Sequence, residues 1–112
     1  MPKHPERSAV IGWGSINPLG LDAERTWKAV LAERSGVQRI HDDWASDLTS
    51  RIGGRVDEEA ISALEPLLQR RSDRCAQLAV LAARQAWAMA ARPKTLTAAV
   101  APVVVGTGLA AH

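Results

Sequence analysis

The first apolar positions of the chain form a short run, Ala9–Ile11, that is followed at once by glycines. A run of this length that contains β-branched residues predicts a buried strand. Gly12 and Gly14 come next, and two glycines at the end of a strand indicate that the backbone turns sharply or passes close to another segment. Gly20 closes the predicted turn just before a helical pattern begins. The opening stretch therefore predicts a strand, a tight turn and a first helix, preceded by a flexible lead-in over residues 1–8.

A helix is predicted over residues 23–34, with Asp22 as its N-cap. Its apolar side chains recur at helical spacing and should form one face of a surface amphipathic helix, with the charged residues elsewhere. Gly36 is expected to end the helix in the left-handed conformation that glycine adopts at low cost. The predicted apolar face consists of Ala23, Trp27, Val30 and Leu31.

The middle of the chain has weaker patterns. Residues 37–50 predict a solvated acidic loop with Trp44 beneath it, and residues 51–56 predict a weak strand interrupted by two glycines. A short helix is predicted over residues 58–64. It should stop before Pro66, because proline disfavours helical backbone in the residue that precedes it.

The longest predicted helix covers residues 73–91, with Ser72 or Asp73 as its cap. Its polar residues after the first turn are Gln77, Arg84 and Gln85. A helix that is apolar nearly all round is buried on more than one side. A chain of 112 residues cannot easily enclose such a helix. We therefore expect that covering layers are missing and that the isolated chain is aggregation-prone or molten.

A second apolar run over residues 100–105 predicts another strand, with Pro102 near its start. The run ends in a second glycine turn, Gly106-Thr107-Gly108, and a short stretch that begins with Leu109 follows. The sequence therefore stops where a new element is expected, which indicates a truncated chain.

Composition bounds the function classes. The sequence is 46% hydrophobic and 23% charged, which is typical of one small globular domain. The formal charge is only +2 and the four tryptophans are scattered, so neither a basic arm nor an aromatic platform for nucleic acid is indicated. One cysteine excludes an internal disulfide. With no signal-peptide pattern and no apolar run near the ~18 residues of a membrane span, the sequence predicts a cytoplasmic protein.

Three familiar chemistries fit the residues poorly. A dinucleotide-binding turn needs a third glycine at position 17, where Asn17 stands, and no Gly-Lys-Ser/Thr follows either glycine turn as a P-loop requires. His41 and the acids beside it lack the spacing of converging metal ligands, so no metal is predicted. Cys75 lies close to arginines, but no histidine is placed beside it. An inert, packed thiol is therefore favoured over a nucleophile.

Three arginines, Arg70, Arg71 and Arg74, lie within five residues at the start of the long helix. Guanidinium groups bind carboxylates and phosphates strongly, so the cluster is a candidate anion-binding site. A solvated basic rim without a function explains the same pattern. The residues leave both interpretations open.

Taken in order, these stretches resemble the opening of β-ketoacyl-acyl carrier protein synthases. That family typically begins apolar-Thr-Gly-x-Gly-x-x-Ser-Pro-Leu-Gly, to which residues 9–20 are similar, with Ile11 and Asn17 where threonine and serine are usual. Ser72 and Cys75 stand where methionine and phenylalanine are common. The further matching stretches, which extend the resemblance over about residues 8–109, are Trp27-Lys28-Ala29, Ser35-Gly36-Val37, Arg51–Val56, Arg71-Ser72-Asp73-Arg74 and Val103–Gly108.

The resemblance implies an α/β fold, the N-terminal part of a thiolase-like layered αβαβα fold that is incomplete in this chain, and a homodimer. The family reaction is the decarboxylative Claisen condensation of an acyl thioester with malonyl-carrier protein in fatty acid biosynthesis, and no cofactor is implied. The family's nucleophilic cysteine and its two histidines lie beyond the second glycine turn. No catalytic residue is therefore expected in this chain, and the isolated chain is expected to be inactive.

Two lesser roles follow from the resemblance. Arg70 and Arg71, and less closely Arg74, match basic positions that dock the acidic acyl carrier protein. Leu109 matches a residue that borders the acyl pocket, although an apolar residue after a turn explains it equally well. Two alternatives stay open: a polyketide ketosynthase, which shares the same opening, and a non-catalytic stub that pairs with a synthase or a carrier protein. The glycines predicted to shape the two turns are Gly12, Gly14, Gly20, Gly106 and Gly108.

Overall fold

The computed structural model describes residues 7–90 and 103–107. The predictions made for residues 1–6, for residues 100–102 of the second apolar run, and for Gly108 and Leu109 lie outside the described residues. Residues 103–107 have no regular secondary structure and are exposed, so the strand predicted over residues 100–105 is wrong for the three of its residues that are described. The described elements are α1 (Ala23–Leu31), β1 (Val37–Arg39), a single 3₁₀ turn (Asp43–Ala45), β2 (Ile52–Gly54), α2 (Glu59–Ser62), α3 (Pro66–Arg71) and α4 (Arg74–Met89).

Helix α1 begins where the sequence predicts. The side chain of Asp22 accepts a hydrogen bond from the backbone N–H of Arg25 at 2.7 Å, as an N-cap does. The prediction that Gly36 holds the left-handed position is wrong, because Glu33 holds it with φ 57°. The N–H of Arg34 reaches back to the carbonyl of Ala29 at 3.0 Å, which is the closing bond of a Schellman motif. The chain has therefore left the helix before it reaches Gly36.

The predicted apolar face of α1 is not covered by the described residues. Trp27 is 61% exposed and Leu31 is 64% exposed, whereas the buried residue of the helix is Ala29. Helical spacing states which residues share a face. It does not state whether another segment packs on that face, and here the described residues leave the face exposed.

The predicted weak strand exists, and it pairs with a strand that the sequence did not predict. β1 and β2 form an antiparallel pair in which Val37 lies opposite Gly54. The prediction of a buried strand at Ala9–Ile11 is wrong, since these residues have no regular structure and Val10 is 80% exposed. A strand needs a hydrogen-bonded neighbour, and the described residues supply one to β1 and β2 alone.

The prediction that Trp44 lies beneath the acidic loop is wrong, because Trp44 lies on the surface. It is 61% exposed, and its indole Nε1 donates to Oδ2 of Asp42 at 3.0 Å. Arg55 donates from Nη1 to Oδ1 of the same carboxylate at 2.9 Å. The hydrogen bond from Arg55, followed by that from Trp44, lowers the pKa of Asp42 below its ordinary value of 3.8, because both favour the ionised form.

Removal of the guanidinium should raise the pKa of Asp42. In Arg55→Gln we expect the carboxyl to titrate closer to 3.8, as followed by NMR of the side-chain carbon. The folded-state pKa is depressed, so this interaction stabilises the fold above the ordinary pKa and is lost as the pH falls through the folded value. Arg51→Gln is the matched control, since Arg51 donates to the carbonyl of Ser46 at 2.6 Å. An equal rise of the Asp42 pKa in both variants would contradict the assignment.

Pro66 begins a helix as well as limiting the one before it. The predicted stop before Pro66 is confirmed, since α2 ends at Ser62. α3 then begins with Pro66 in its first position, where the missing N–H would have no partner in the helix anyway. The six residues of α3 are too few to show a helical period, so the sequence did not predict this helix.

Helix α4 runs from Arg74 to Met89, close to its predicted bounds. Of the two predicted caps, Asp73 does the capping: its side chain accepts from the N–H of Ala76 at 2.8 Å. Most side chains of α4 are half-buried, and its buried residue is Gln77. The buried apolar side chains of the described residues are Ala29, Ala45, Ala60 and Leu64.

Three alanines and one leucine make a very small core for the part of the chain that the structure describes. We therefore expect the isolated 112-residue polypeptide to bind a dye such as ANS and to unfold over a broad temperature range. Calorimetry and dye fluorescence check this. A sharp cooperative transition from a monomer would contradict it.

The segment before α1 lies directly against α4. A Cβ at Gly12 would overlap the carbonyl oxygen of Ala86, and a Cβ at Gly14 would lie 2.7 Å from the Cβ of Gln85. Gln85 holds the segment at two points: its Oε1 accepts from the N–H of Ser15 at 3.1 Å, and its Nε2 donates to the carbonyl of Leu21 at 2.6 Å. The contact between this segment and α4 therefore depends on the small size of Gly12 and Gly14 and on the side-chain amide of Gln85.

Asn17 closes the turn between this segment and α1. Its backbone exchanges hydrogen bonds of 3.0 and 3.1 Å with Gly20. Its side-chain Oδ1 accepts from the N–H of Leu19 at 2.8 Å, and its Nδ2 donates to the hydroxyl of Thr26 at 2.9 Å. The side chain of Asn17 thus links the tight turn to the start of α1. Asn17 therefore has a structural role at the position where the dinucleotide motif would need glycine.

Candidate functional site

The predicted arginine cluster lies at the junction of α3 and α4. Arg70 and Arg71 are the last two residues of α3, and Arg74 is the first residue of α4. All three are exposed. We call residues 70–74 the arginine corner. The structure thus brings the three predicted side chains to one corner of the fold, although they do not play equal parts there.

Arg74 is already engaged within the structure. Its Nη1 forms an ion pair of 2.7 Å with Oε1 of Glu58, and its Nη2 donates to the carbonyl of Val56 at 3.0 Å. These bonds tie the start of α4 to the chain before α2. The guanidinium of Arg74 consequently has fewer donors left for an external anion than its two neighbours have.

Arg70 and Arg71 are differently placed. Within residues 7–90 and 103–107, neither guanidinium group forms a hydrogen bond or an ion pair. Their position in the last turn of α3 suits the negative end of that short helix. Two adjacent, exposed guanidinium groups with all their donors available can bind one or two carboxylates or phosphates.

The backbone of the arginine corner is held from inside by Gln77. This side chain is 8% exposed, and its Nε2 donates to the carbonyls of both Gln69 and Ser72 at 3.0 Å each. The hydroxyl of Ser72 donates to the carbonyl of Leu68. Carbonyls at the end of a helix have no partner within it, and here side chains supply the partners.

The two glutamates around α2 and α3 that face arginines are neutralised by them. Glu58 pairs with Arg74, and the carboxylate of Glu65 accepts from Nη2 of Arg84 at 3.0 and 3.1 Å. The hydrogen bond from Arg84 lowers the pKa of Glu65 below its ordinary value of 4.5. These pairings leave the charges of Arg70 and Arg71 uncompensated by either glutamate.

The residues that the sequence analysis rejected as a nucleophile and as a metal ligand lie apart from each other. Cys75 is half-buried in the first turn of α4, and His41 is exposed in the loop that follows β1. Within the described part of the chain, no three His, Cys, Asp or Glu side chains are grouped so that they could hold a metal ion. Among the described residues, no atom would lie within 4 Å of a Cβ at Gly106.

Two hollows of the described surface lie beside the β1–β2 pair, and neither is lined by residues of the arginine corner. The larger, of about 380 Å³, is lined by Arg39, Leu48, Thr49, Arg51 and Ile52. A second, of about 160 Å³, is lined partly by His41, Asp42 and Arg55. The lining of the first mixes cations with the exposed apolar side chains of Leu48 and Ile52. Arg51 and Arg55 are already engaged by the carbonyl of Ser46 and the carboxylate of Asp42.

Comparison with known proteins gives a consistent result. A family model described as "Beta-ketoacyl synthase, N-terminal domain" matches residues 6–112. A protein of Mycobacterium tuberculosis (strain H37Rv) named 3-oxoacyl-[acyl-carrier-protein] synthase 2 is 33% identical over 102 residues, which cover 89% of this chain and 24% of that protein. A protein of the same name from Coxiella burnetii is 35% identical over 82 residues, or 72% of this chain and 20% of that protein.

The chain therefore spans about a quarter of the length of the curated relatives it matches. Among the described residues, no helix combines the length and the apolar character that a membrane crossing requires.

Sequence reasoning found the arginines but missed what holds them. Gln77 and Gln85 stood out only as rare polar residues in an apolar helix, and each turns out to bind backbone groups of another segment. An isolated amide in an apolar helix is the available signal, because a buried polar group needs hydrogen-bond partners. The partner itself cannot be identified from spacing, since Gln85 bonds to residues more than sixty positions away.

Proposed function

The chain belongs to the β-ketoacyl synthase N-terminal domain family, and from that premise we propose that it works as part of a 3-oxoacyl-[acyl-carrier-protein] synthase in fatty acid biosynthesis. In the proposed reaction a cysteine thiolate attacks the acyl thioester of a carrier protein, takes the acyl group and releases the carrier as its thiolate. Malonyl-carrier protein then loses CO₂, and the resulting carbanion attacks the acyl-enzyme. A carbon–carbon bond forms, the bond between the acyl group and the cysteine sulfur breaks, and the cysteine thiolate is released. The names of the relatives support this assignment.

We assign no catalytic role to a residue of these 112. The resemblance puts the nucleophile and the two histidines beyond the second glycine turn, and Cys75 occupies a half-buried position in the first turn of a packed helix. On this proposal the isolated 112-residue polypeptide does not catalyse the condensation.

The contribution we propose for the described residues is recognition of the acyl carrier protein. The observation that carries it is the pair Arg70 and Arg71, adjacent, exposed and without a partner among the described residues. A carrier protein presents carboxylates, which guanidinium groups bind with charge-assisted hydrogen bonds. Arg74 takes a smaller part in this proposal, because Glu58 and the Val56 carbonyl already engage it. The acyl-pocket role of Leu109 and the homodimer remain predictions from the resemblance.

A condensation assay tests the function. The protein at its native length should release CO₂ from malonyl-carrier protein and form a 3-oxoacyl product when an acyl-carrier primer is supplied. Cys75→Ser should leave the rate unchanged, since the thiol of Cys75 takes no part. A loss of condensation in Cys75→Ser with the fold intact would contradict the assignment.

The same assay separates the alternatives. A polyketide ketosynthase would give product with polyketide carrier proteins and not with the carrier of fatty acid synthesis. A non-catalytic stub would bind a carrier protein or a synthase and give no product with any carrier.

A further inference from the structure

We propose that Gln77 is a positioning residue that sets the backbone of Arg70 and Arg71 for docking of the carrier protein, an inference that rests on the docking role proposed above. The amide of Gln77 is buried, and its Nε2 donates to the carbonyl before the pair, at Gln69, and to the carbonyl after it, at Ser72. Both distances are 3.0 Å. One side chain of α4 is therefore hydrogen-bonded to the backbone on both sides of Arg70 and Arg71.

The two hydrogen bonds from Gln77 satisfy backbone carbonyls that have no partner within the short helix α3. The last four carbonyls of a helix have no intrahelical partner. In α3 the carbonyl of Leu68 receives the N–H and the hydroxyl of Ser72, while the carbonyl of Gln69 receives the amide of Gln77. The corner is thus fixed from the interior. Both guanidinium groups stay on the outside with their donors unused by the described residues.

Fixing the backbone matters for binding because ordering costs free energy. A loose corner would have to order its backbone when the partner docks, and that cost would be subtracted from the affinity. Gln77 carries no formal charge and is buried, so it cannot attract the partner directly. Any effect it has on docking must pass through the residues it holds, and that property makes it testable.

The test compares carrier-protein affinity in the protein at its native length. Gln77→Leu keeps a similar volume and removes both donors, and we expect purified acyl carrier protein to bind about tenfold more weakly. In the background Arg70→Glu/Arg71→Glu, the same substitution should change the affinity no further, because the groups through which it acts have been removed. Gln77→Met serves as the second variant, since its flexible chain adapts to the same space.

Gln85→Leu is the matched control. It removes a half-buried glutamine of the same helix that holds the segment before α1 and not the arginine corner. We expect it to lower thermal stability while the folded protein keeps its carrier affinity. Equal weakening by Gln77→Leu and Gln85→Leu, or additive weakening in the arginine-reversed background, would show a general effect on folding and overturn the inference.

The outcomes separate this inference from the docking proposal. If the arginine reversal itself leaves carrier binding unchanged, the docking proposal fails. If the reversal weakens binding but Gln77→Leu and Gln77→Met do not, the docking proposal stands and the positioning role of Gln77 is wrong.

Discussion

Reversing both charges of the arginine pair is expected to weaken binding of the acyl carrier protein by about a hundredfold. Arg70→Glu/Arg71→Glu replaces two groups that can pair with carboxylates by two that repel them. An exposed ion pair contributes less than about 1 kcal/mol, but reversal adds repulsion to the loss of attraction at each position. A hundredfold change corresponds to about 2.8 kcal/mol shared between two residues, which such terms can supply. Titration calorimetry at native length measures it.

The matched control is Arg34→Glu/Arg39→Glu. It changes the net charge by the same amount at two exposed arginines that lie outside the arginine corner. We expect less than a threefold loss of affinity in this variant, and a weaker dependence of binding on salt in the corner variant, because fewer ionic contacts remain to be screened. Equal losses in the two variants would mean that the carrier protein responds to overall charge and not to Arg70 and Arg71.

The sequence predicted well wherever the determining interactions are local. The caps of α1 and α4 were predicted at Asp22 and at Ser72 or Asp73, and carboxylates of Asp22 and Asp73 accept the expected N–H groups. The break before Pro66 was placed correctly for the same reason. Family membership confirms the predicted α/β class and the resemblance on which the function was based.

The sequence predicted poorly wherever burial depends on a distant partner. Spacing placed Trp27 and Leu31 on one face of α1, but whether that face is buried depends on what packs there. The same limit applies to Ala9–Ile11, whose composition favours a strand that the described residues leave without a neighbour. The predictions for Trp44 and Gly36 failed for local reasons. The carboxylate of Asp42 binds the indole of Trp44 at the surface, and Glu33 adopts the left-handed conformation that was predicted for Gly36.

Helix α4 connects the two features that matter most in this part of the chain. Gln77 binds the arginine corner, and Gln85, roughly 12 Å further along the helix axis, binds the segment that precedes α1. Both amides serve backbone groups that lack a partner in their own element. This use explains why two glutamines occur in a helix that is otherwise largely apolar, and why removing either should have a distinct consequence.

The packing of the first segment on α4 leads to the second large expected effect. Gly12→Ala should lower the free energy of unfolding by about 3 kcal/mol, because the new Cβ would overlap the carbonyl oxygen of Ala86 and lie 3.0 Å from the backbone nitrogen of Ala90. Both obstacles are backbone atoms of a helix, which cannot move aside as a flexible side chain can. Urea unfolding of the protein at native length measures the loss. The backbone N–H of Trp13 donates to the sulfur of Met89 at 3.4 Å, so the fluorescence emission of the Trp13 indole should report the disturbed contact.

Gly53→Ala distinguishes lack of space from a general intolerance of glycine substitution. Its Cβ would meet the terminal Cδ1 of Ile40 at 3.3 Å, a group that can rotate away, so we expect a change within about 1 kcal/mol. None of the described glycines has a positive φ, so conformational strain explains neither result and the available space must decide both. If Gly12→Ala proved as mild as Gly53→Ala, the first segment could not lie as close to α4 as the structure places it.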